Sequence, residues 1–512
     1  MAARLRLDGC SLTLEQLIPV IAGDTVSLEV TAPAREAVRA CRAYVEQHLH
    51  AGEAVYGLTT GFGRLKSVAI AEGDLEKLQT NLVLSHCCGV GEPMPSEEVR
   101  IAQVLRLNGI VRGHSGVRES VIDKLVRLFE AGFVPVVPRQ GSVGASGDLA
   151  PLAHMAAAYM GHGEAELNGV RGPAADLLAR FGEDPLVLQA KEGLALINGT
   201  EIMKSVGCVI WARAHNLSRA ADVIAALSIE ALHGSARPFE DRLADLKGSE
   251  GHRRTASNVR TLLEGSDVLA GHADCDRVQD PYSLRCVPQI HGAFKTAFAH
   301  FSDVLGAEVN AVTDNPLIFA ETGDVVSAGM FHGQPVSMIL DYVGLAICTL
   351  ANVSERRVEQ LVNPDLSRLP AFLTPAPGLN SGMMIAQVAA AALASENKVH
   401  AHPASVDTVP TSANQEDHVS MGVTAARKAR QILENTERVL AIELLCAAQG
   451  REFNADVRAG RGVEAAYGAL REIVPALGED RFLAGDIEAA RDLIATGALV
   501  DKVESAVGKL QA

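Results

Sequence analysis

The chain contains 512 residues, of which 48% are hydrophobic and 21% charged, a composition typical of a globular protein. Acidic residues outnumber basic ones by 62 to 46. The net charge of −16 argues against nucleic acid or an anionic membrane surface as a partner. Nine cysteines without a CxxC pair favour a reducing, cytoplasmic compartment. The longest apolar stretches, such as residues 342–351, fall short of the roughly 18 residues that a membrane helix needs, so no membrane span is expected.

The first 190 residues contain many short, glycine-rich turns. The glycines that mark these turns are Gly57, Gly61, Gly63, Gly89, Gly91, Gly141, Gly144 and Gly147. Because glycine punctuates short elements, this pattern predicts short helices and a few strands. We therefore expect a smaller mixed α/β domain over residues 1–190.

The rest of the chain contains long spans without proline. These spans separate Pro185 from Pro238, Pro288 from Pro316, Pro335 from Pro364, and Pro410 from Pro475. Since an interior proline breaks a helix, and since each span has apolar residues at helical spacing, each predicts a long helix. The predicted fold is mainly α, with a long central helical bundle over residues 191–465. Short helices over residues 466–512 are expected to pack on that bundle.

The segment Gly141–His154 reads GSVGASGDLAPLAH and admits three interpretations. The first is a tight turn before a helix that Asp148 caps. The second is a serine-hydrolase elbow, although Asp148 stands where the G-x-S-x-G pattern requires glycine. The third is autocatalytic cyclisation, in which the Gly147 nitrogen attacks the Ala145 carbonyl and Ser146 loses water. Glycine suits this role because its nitrogen is unhindered and its backbone is free.

This segment closely resembles the signature of the aromatic amino acid ammonia-lyases, whose electrophile is 4-methylidene-imidazol-5-one (MIO). Five other stretches match the family in the same order: VYGLTTGFG at 55–63, LALINGT at 194–200, QDPYSLRC at 279–286, NAVTDNP at 310–316 and NQEDHVSM at 414–421. The resemblance implies a helical-bundle fold, which agrees with the fold predicted from the proline-free spans.

The resemblance also implies how the chemistry is done. Ala145, Ser146 and Gly147 are expected to form MIO within the chain, so that no external cofactor is needed. Tyr56 is the first candidate for the base that takes the substrate β-proton, and Tyr282 is a second tyrosine that shares proton transfer. A phenol has an ordinary pKa near 10 and must be tuned for this role. The family is homotetrameric, with active sites completed by neighbouring subunits, and we expect the same here.

Four further residues are implied to bind the substrate. Arg285 is expected to clamp the carboxylate, because a planar guanidinium matches two oxygens. Asn198 and Gln279 are expected to orient the amine, the carboxylate or the MIO carbonyl through their amide groups. Phe331 is expected to form a wall of the pocket.

Two positions indicate which amino acid is the substrate. The first is a pair of adjacent residues that differs between members of the family. Phenylalanine-specific members carry Phe-Leu there, tyrosine-specific members carry His-Leu, and histidine-specific members carry Ser-His. This chain has Ser85-His86. The chain also has Glu416, where the first two classes lack a carboxylate. A buried imidazole N–H without a partner costs about 1–3 kcal/mol, and His86 and Glu416 supply polar partners. The resemblance therefore implies L-histidine as substrate and trans-urocanate and ammonia as products.

Three alternatives remain at this stage. The chain could be an aminomutase, which re-adds ammonia at the β-carbon, or an MIO-free homologue that only binds or assembles. A metal site is the third alternative, but no HExxH or paired-cysteine spacing supports it, so none is expected. The residues that suggest a metal are His400, His402, Glu416 and His418, and separately His272 and Cys275.

Residues 327–335 depart from the family pattern. Ala328, Met330 and Gln334 replace glycine, asparagine and glutamate, whereas Phe331 and His332 are retained. This segment is expected near the active site, so the departures bear on fine specificity and rate rather than on MIO chemistry. The Asn-Pro-Asp sequence at 363–365 is a second segment that departs from the family pattern.

Overall fold

Long helices occupy the four proline-free spans, as predicted. A computed structural model describes residues 3–51, 72–270 and 278–512. The four helices are Glu201–Ala231, Val287–Glu308, Gln334–Val362 and Gly422–Glu452. The mainly α fold is thus confirmed. Pro288 and Pro335 each occupy the second residue of a helix, where the backbone N–H would have no partner within the helix, and the other prolines that bound the spans lie outside these four helices.

Shorter helices make up most of the remaining described structure. They are Ile18–Ile21, Ala32–Ala51, Leu75–His86, Ser96–Ile110, Glu119–Glu130, Leu149–Tyr159, Ala174–Phe181, Glu192–Ile197, Asp241–Lys247, Glu250–Leu263, Asp267–Ala270, Tyr282–Arg285, Pro364–Ser367, Met384–His400, Arg461–Arg471, Ala484–Ala495 and Ala498–Val507. The last two lie within residues 466–512, where short helices were predicted, and Arg461–Arg471 begins before that region and extends into it.

The strands are short and form small sheets. Ala3–Leu7 pairs in parallel with Val26–Val30, starting from Ala3 opposite Val26. The other pairs are antiparallel: Val90–Pro93 with Pro138–Gln140, Phe133–Pro135 with Glu164–Leu167, Glu164–Leu167 with Val170–Pro173, and Leu317–Phe319 with Asp324–Val326. Seven of these nine strands lie within the first 190 residues, as the glycine-rich turns predicted for a mixed region.

The described residues form two compact units. The first comprises residues 1–209, 302–340 and 403–427, and the second comprises residues 210–301, 341–402 and 428–512. Each of the four longest helices includes a boundary between the units. The division predicted from sequence, at residues 190 and 465, stays a prediction.

The helix Gln334–Val362 is long and apolar enough to cross a membrane by length and composition alone. However, 72% of its most apolar window is buried inside the protein. Side chains such as Val343, Ile347 and Leu350 are at most 1% exposed. Core packing therefore accounts for the apolar composition of this helix.

Candidate active site

The Ala145-Ser146-Gly147 turn is packed tightly against the backbone at Gly199. Gly147 has a φ of +72°, a conformation that favours glycine. A Cβ at this position would overlap the Gly199 carbonyl oxygen. The next amide, that of Asp148, donates to this same oxygen at 2.6 Å. The third residue of the turn must therefore be glycine for both conformational and steric reasons.

A cavity of about 510 Å³ opens beside this turn, within the first unit. Its lining residues are Ala145, Ser146, Asn198, Asn315, Ser327, Gly329, Phe331, His332, Gln415, Glu416, Asp417 and His418. The structure thus brings together five of the predicted site residues: Ala145, Ser146, Asn198, Phe331 and Glu416. They come from four separate stretches of sequence, which the fold brings together in one place.

Glu416 is hydrogen-bonded directly to the serine of the turn. The Ser146 hydroxyl donates to Glu416 Oε1 at 2.9 Å. The Thr411 hydroxyl donates to the other carboxylate oxygen, Oε2, at 2.6 Å. The carboxylate is therefore held in place by two hydroxyl groups and lies within reach of a molecule in the cavity. Thr411 was not identified from the sequence, where nothing distinguished it from any other loop threonine.

Asn198 presents an amide group to the cavity from a buried position, with only 4% of the residue exposed. Its Nδ2 donates to the Ser146 carbonyl oxygen at 3.5 Å. Its buried Oδ1 has no partner among the described residues. Because an unpaired buried acceptor is costly, this oxygen is suited to accept a hydrogen bond from a substrate amine.

Asp148 is fully buried directly after the turn. It precedes the helix Leu149–Tyr159, yet its side chain does not cap that helix. Instead, Oδ2 accepts the backbone N–H groups of Ile202 and Met203 at 3.0 and 2.9 Å, at the start of the helix Glu201–Ala231. Burial, together with the Glu201 charge, raises the pKa of Asp148 to about 7. The simple capped-turn interpretation is therefore wrong in its choice of helix.

Gln279, Tyr282 and Arg285 belong to the second unit. Arg285 Nη1 donates to Gln279 Oε1 at 2.7 Å, and the guanidinium carbon lies 4.7 Å from the centre of the Tyr282 ring. Gln279 and Arg285 line another cavity, of about 780 Å³, together with Arg237 and Asp280. Arg285 thus contacts both the Gln279 amide and the Tyr282 ring, and its role as a clamp for the substrate carboxylate stays a prediction.

Of the remaining predicted residues, His86 is described by the structure and does not line the Ser146 cavity. His86 ends the helix Leu75–His86, and its Nδ1 lies 2.7 Å from the Leu82 carbonyl oxygen. It is half-buried and is not among the residues that line the cavity. Tyr56 lies outside the described residues, as do His272 and Cys275.

The segment that departs from the family pattern forms one side of the cavity. The backbone N–H of Ala328 donates to Asn315 Oδ1 at 2.7 Å, and Gln334 Nε2 donates to the Ser405 carbonyl at 3.1 Å. A glutamate at 334 would have no N–H for the second bond. Met330 is 48% exposed. Gln334 therefore anchors a loop that precedes Glu416.

The His332 and His418 rings stack beside the cavity, with centroids 5.7 Å apart and planes inclined by 8°. Within the ranges that the structure describes, no three His, Cys, Asp or Glu side chains form a group that could hold a metal ion. The suggested cluster around His400, His402, Glu416 and His418 is accordingly not assembled.

The residues present fit a ring built from Ala145, Ser146 and Gly147. The turn contains the glycine that its backbone requires, the serine hydroxyl has a hydrogen-bonded carboxylate beside it, and the cavity contains an unpaired amide oxygen. A hydrolase elbow would instead need a histidine hydrogen-bonded to the serine, but Ser146 donates to Glu416.

Comparisons with known proteins agree with this arrangement. A family model described as aromatic amino acid lyase matches residues 12–472. A histidine ammonia-lyase from Anaeromyxobacter sp. (strain K) is 53% identical over 504 residues, 97% of this chain and 99% of that protein. The crystal structure of histidine ammonia-lyase from Trypanosoma cruzi is 41% identical with a TM-score of 0.92, covering 98% of this chain and 96% of that one. A tyrosine aminomutase from Streptomyces globisporus is 35% identical with a TM-score of 0.94, covering 100% of both chains. The chain therefore belongs to the aromatic amino acid lyase family.

Proposed function

We propose that this protein is a histidine ammonia-lyase, which eliminates ammonia from L-histidine to give trans-urocanate. The observation that carries the proposal is the 2.9 Å hydrogen bond between Ser146 and Glu416, which places a carboxylate for an imidazole beside the predicted electrophile. Relatives of that name, 53% identical over nearly the whole chain, support the same reaction. The reaction is the first step of histidine degradation.

We further propose that MIO forms from the chain itself, with no external cofactor. The Gly147 nitrogen forms a bond to the Ala145 carbonyl carbon. The carbonyl oxygen leaves as water with the amide protons of Gly147 and Ser146, and a double bond forms between that carbon and the Ser146 nitrogen. Ser146 then loses its hydroxyl and an α-proton as a second water, which leaves an exocyclic double bond. The positive φ of Gly147 and the close packing against Gly199 support a turn that is already bent for this reaction.

MIO supplies an electrophile that turns the substrate amine into a better leaving group. The chain's own residues orient the substrate around it. Asn198 Oδ1, which is buried and unpaired, accepts a hydrogen bond from the amine. Arg285 binds the carboxylate through its two terminal nitrogens. Tyr56 takes the β-proton, and Tyr282 shares proton transfer; the contact of Arg285 with the Tyr282 ring supports placing these groups at one end of the substrate.

Glu416 selects the imidazole ring. Its carboxylate lines the cavity and is fixed by Thr411, so it accepts an imidazole N–H without further reorganisation. A phenyl ring has no such donor and would leave Oε1 of the carboxylate without a partner once Ser146 has lost its hydroxyl, although Thr411 would still donate to Oε2. We assign His86 a supporting part in the same selection, on the basis of the Ser85-His86 pair alone.

We propose that the protein is a cytoplasmic homotetramer with active sites completed by neighbouring subunits. The helix Met384–His400 supports this, because among its residues only Ala386, Ala390 and Asn397 are buried. Ile385, Val388 and Val399 are 66%, 52% and 73% exposed on one face of that helix, and such apolar faces mark interfaces. The eight cysteines in the described part of the chain are all free, which fits a reducing compartment.

The reaction is tested by incubating the purified protein with L-histidine and following urocanate in the near ultraviolet. L-Phenylalanine and L-tyrosine, with detection of their own acrylate products, are the matched controls. Release of urocanate, with turnover of the other two amino acids at least about a hundredfold slower, supports the proposal. Absence of urocanate, with MIO present by intact mass, contradicts the choice of substrate.

An aminomutase is the second candidate function, which the structural match to a tyrosine aminomutase supports. Such an enzyme would return ammonia to the β-carbon and release a β-amino acid. Chromatography of the product mixture separates the two candidates, since only the mutase yields β-histidine together with urocanate.

A further inference from the structure

A buried set of charged and polar side chains contacts the Asn198-Gly199 backbone on the side away from Ser146. Arg106 Nη1 donates to the Asn198 carbonyl oxygen and to Glu201 Oε2, both at 3.0 Å. The Thr313 hydroxyl donates to Glu201 Oε1 at 2.9 Å. Arg106, Glu201 and Thr313 are 3%, 0% and 3% exposed, so water does not compete for these hydrogen bonds.

This set of three residues, Arg106, Glu201 and Thr313, touches Gly199 as closely as sterics allow. A Cβ at Gly199 would overlap Glu201 Oε2 and Arg106 Nη1, and it would lie 2.9 Å from Thr313 Oγ1. On its other side, the Gly199 carbonyl accepts the Asp148 N–H at 2.6 Å and abuts Gly147. The Gly199 backbone is thus confined between the charged set and the turn.

The charges in this set persist at neutral pH. Burial opposes ionisation of Glu201, but Arg106 and Lys204 outweigh it and hold the pKa of Glu201 at about 2. Other charged groups that face the set among the described residues include Lys204, Asp148, Lys191 and Glu308. Lys204 Nζ lies 3.5 Å from Glu201 Oε1 and donates to the Glu308 carbonyl oxygen, and Lys191 Nζ donates to Asp314 Oδ2 at 2.5 Å. Each hydrogen bond from Arg106 is therefore charge-assisted.

We propose that Arg106, Glu201 and Thr313 are positioning residues for self-cyclisation of the Ala145-Ser146-Gly147 turn. They fix the backbone of Asn198 and Gly199. The Gly199 carbonyl and the Asn198 side-chain amide in turn contact the Ala145-Ser146-Gly147 turn and hold the Gly147 nitrogen near the Ala145 carbonyl carbon. Displacing reacting atoms by about 1 Å lowers a reaction rate roughly a hundredfold. Loss of the hydrogen bonds made by Arg106, Glu201 or Thr313 would therefore slow ring formation. The proposal rests on the proposed formation of MIO in this chain.

The experiment compares intact masses of purified full-length variants, because each cyclised chain is lighter than the encoded chain by two waters. The variants are Thr313→Val, which removes the hydroxyl bond to Glu201, Thr313→Ser, which keeps it, and Arg106→Met. We expect complete cyclisation in the wild type and in Thr313→Ser. We expect the initial rate of mass loss after cell-free synthesis to fall at least about tenfold in Thr313→Val and about a hundredfold in Arg106→Met.

A control variant separates positioning from loss of stability. Lys295→Met removes a buried cation that is 3% exposed and lies 3.2 Å from Asp222, in the second unit. It should lower the melting temperature while cyclising at the wild-type rate. Thr313→Val should show the reverse pattern, with a melting temperature close to that of Thr313→Ser but slower cyclisation.

The outcomes distinguish the two proposals. A wild-type chain that keeps its full encoded mass overturns MIO formation and this inference with it. A cyclised wild type with Thr313→Val and Thr313→Ser cyclising equally fast overturns the positioning role alone. If Arg106→Met does not fold, the Thr313 pair still decides the question.

Discussion

The two cavities that contain the proposed catalytic groups differ in how their walls are held. Beside Ser146, the supporting groups are buried: Asp148 and Glu201 are 0% exposed and both are hydrogen-bonded to neighbouring elements. Beside Arg285, the wall is open to solvent, with Val278 99% exposed and Tyr282 69% exposed. The groups that support the turn are thus enclosed in the first unit, whereas apolar side chains beside Arg285 are exposed.

This difference agrees with the roles that we propose for the two regions. A turn that cyclises needs a fixed geometry before substrate or another subunit binds. The residues that hold the turn must therefore lie within the same folded unit. A cluster that binds a substrate carboxylate only needs to be enclosed when the active site is assembled. Exposed apolar side chains beside Arg285 are therefore expected where a neighbouring subunit provides the cover. The predictions that follow test each region separately.

The largest effect is expected from Ser146→Ala. This change removes the hydroxyl that must leave to form the exocyclic double bond, so the rate with L-histidine should fall by at least about a thousandfold, or roughly 4 kcal/mol of barrier. Ser142→Ala, in the same loop, should stay within a few-fold of the wild type. A Ser146→Ala protein that keeps more than about a tenth of the activity, only about 1.4 kcal/mol, would falsify the MIO proposal.

Next in size is a change of substrate preference. Replacing His86 by leucine and Glu416 by glutamine removes both proposed partners of the imidazole ring, and charged hydrogen bonds are worth about 1.5–3 kcal/mol each. The ratio of kcat/KM for histidine over phenylalanine should fall at least about a hundredfold. Since only Glu416 lines the cavity, Glu416→Gln alone should account for most of the fall.

Asp417→Asn is the matched control, because Asp417 is an acidic residue that lines the same cavity. It should change the ratio by only a few-fold. An unchanged ratio in the double variant would show that neither residue selects the ring, and the departures at Ala328, Met330 and Gln334 would then be tested first.

Local sequence rules predicted the helices well. An interior proline removes a backbone donor wherever it stands, so proline-free spans with helical periodicity predicted four long helices without any knowledge of their neighbours. The helix Gln334–Val362 ends just before Asn363-Pro364, as that rule requires, and the irregular Asn363 accepts the Asp365 N–H at the start of a new turn.

Contacts between distant residues could not be predicted in the same way. Arg106 and Glu201 are 95 positions apart, and Thr313 and Glu201 are 112 apart. No periodicity connects them, and each alone has the character of an ordinary helix or loop residue. The family motifs did indicate Asn198, Phe331 and Glu416, which the fold brings to one cavity, but they did not indicate Thr411 or the buried state of Asp148.

Arg285→Lys tests the exposed region. Lysine keeps the charge but loses the planar pair of donors, so binding of the substrate carboxylate should weaken and KM should rise about tenfold, with a smaller change in kcat. Arg237→Lys is the control, since Arg237 lines the same cavity and its side chain is 81% exposed. Equal effects of the two substitutions would argue that general charge, rather than a clamp, is what Arg285 supplies.

The smallest effect concerns the pH dependence of stability at the buried region. The pKa of Asp148 is raised from an ordinary 3.8 to about 7, chiefly by burial. Between these two values the folded protein keeps a proton that the unfolded chain releases. Rising pH therefore lowers the free energy of unfolding by about 1.4 kcal/mol per unit, and the full loss is reached above the folded pKa.

Asp148→Asn cannot titrate, and its amide oxygen can still accept the N–H groups of Ile202 and Met203. Between pH 6 and 7, where the folded state begins to lose its own proton, the wild type should lose about 1 kcal/mol relative to this variant. Denaturant unfolding at the two pH values measures the difference. Asp24→Asn, at an exposed position, should follow the wild type. If Asp148→Asn and the wild type instead show the same change from pH 6 to 7, then Asp148 is already ionised in the folded protein. The two N–H groups at the start of the helix Glu201–Ala231 would then compensate its burial, and the buried region would carry one more fixed charge directly behind the turn.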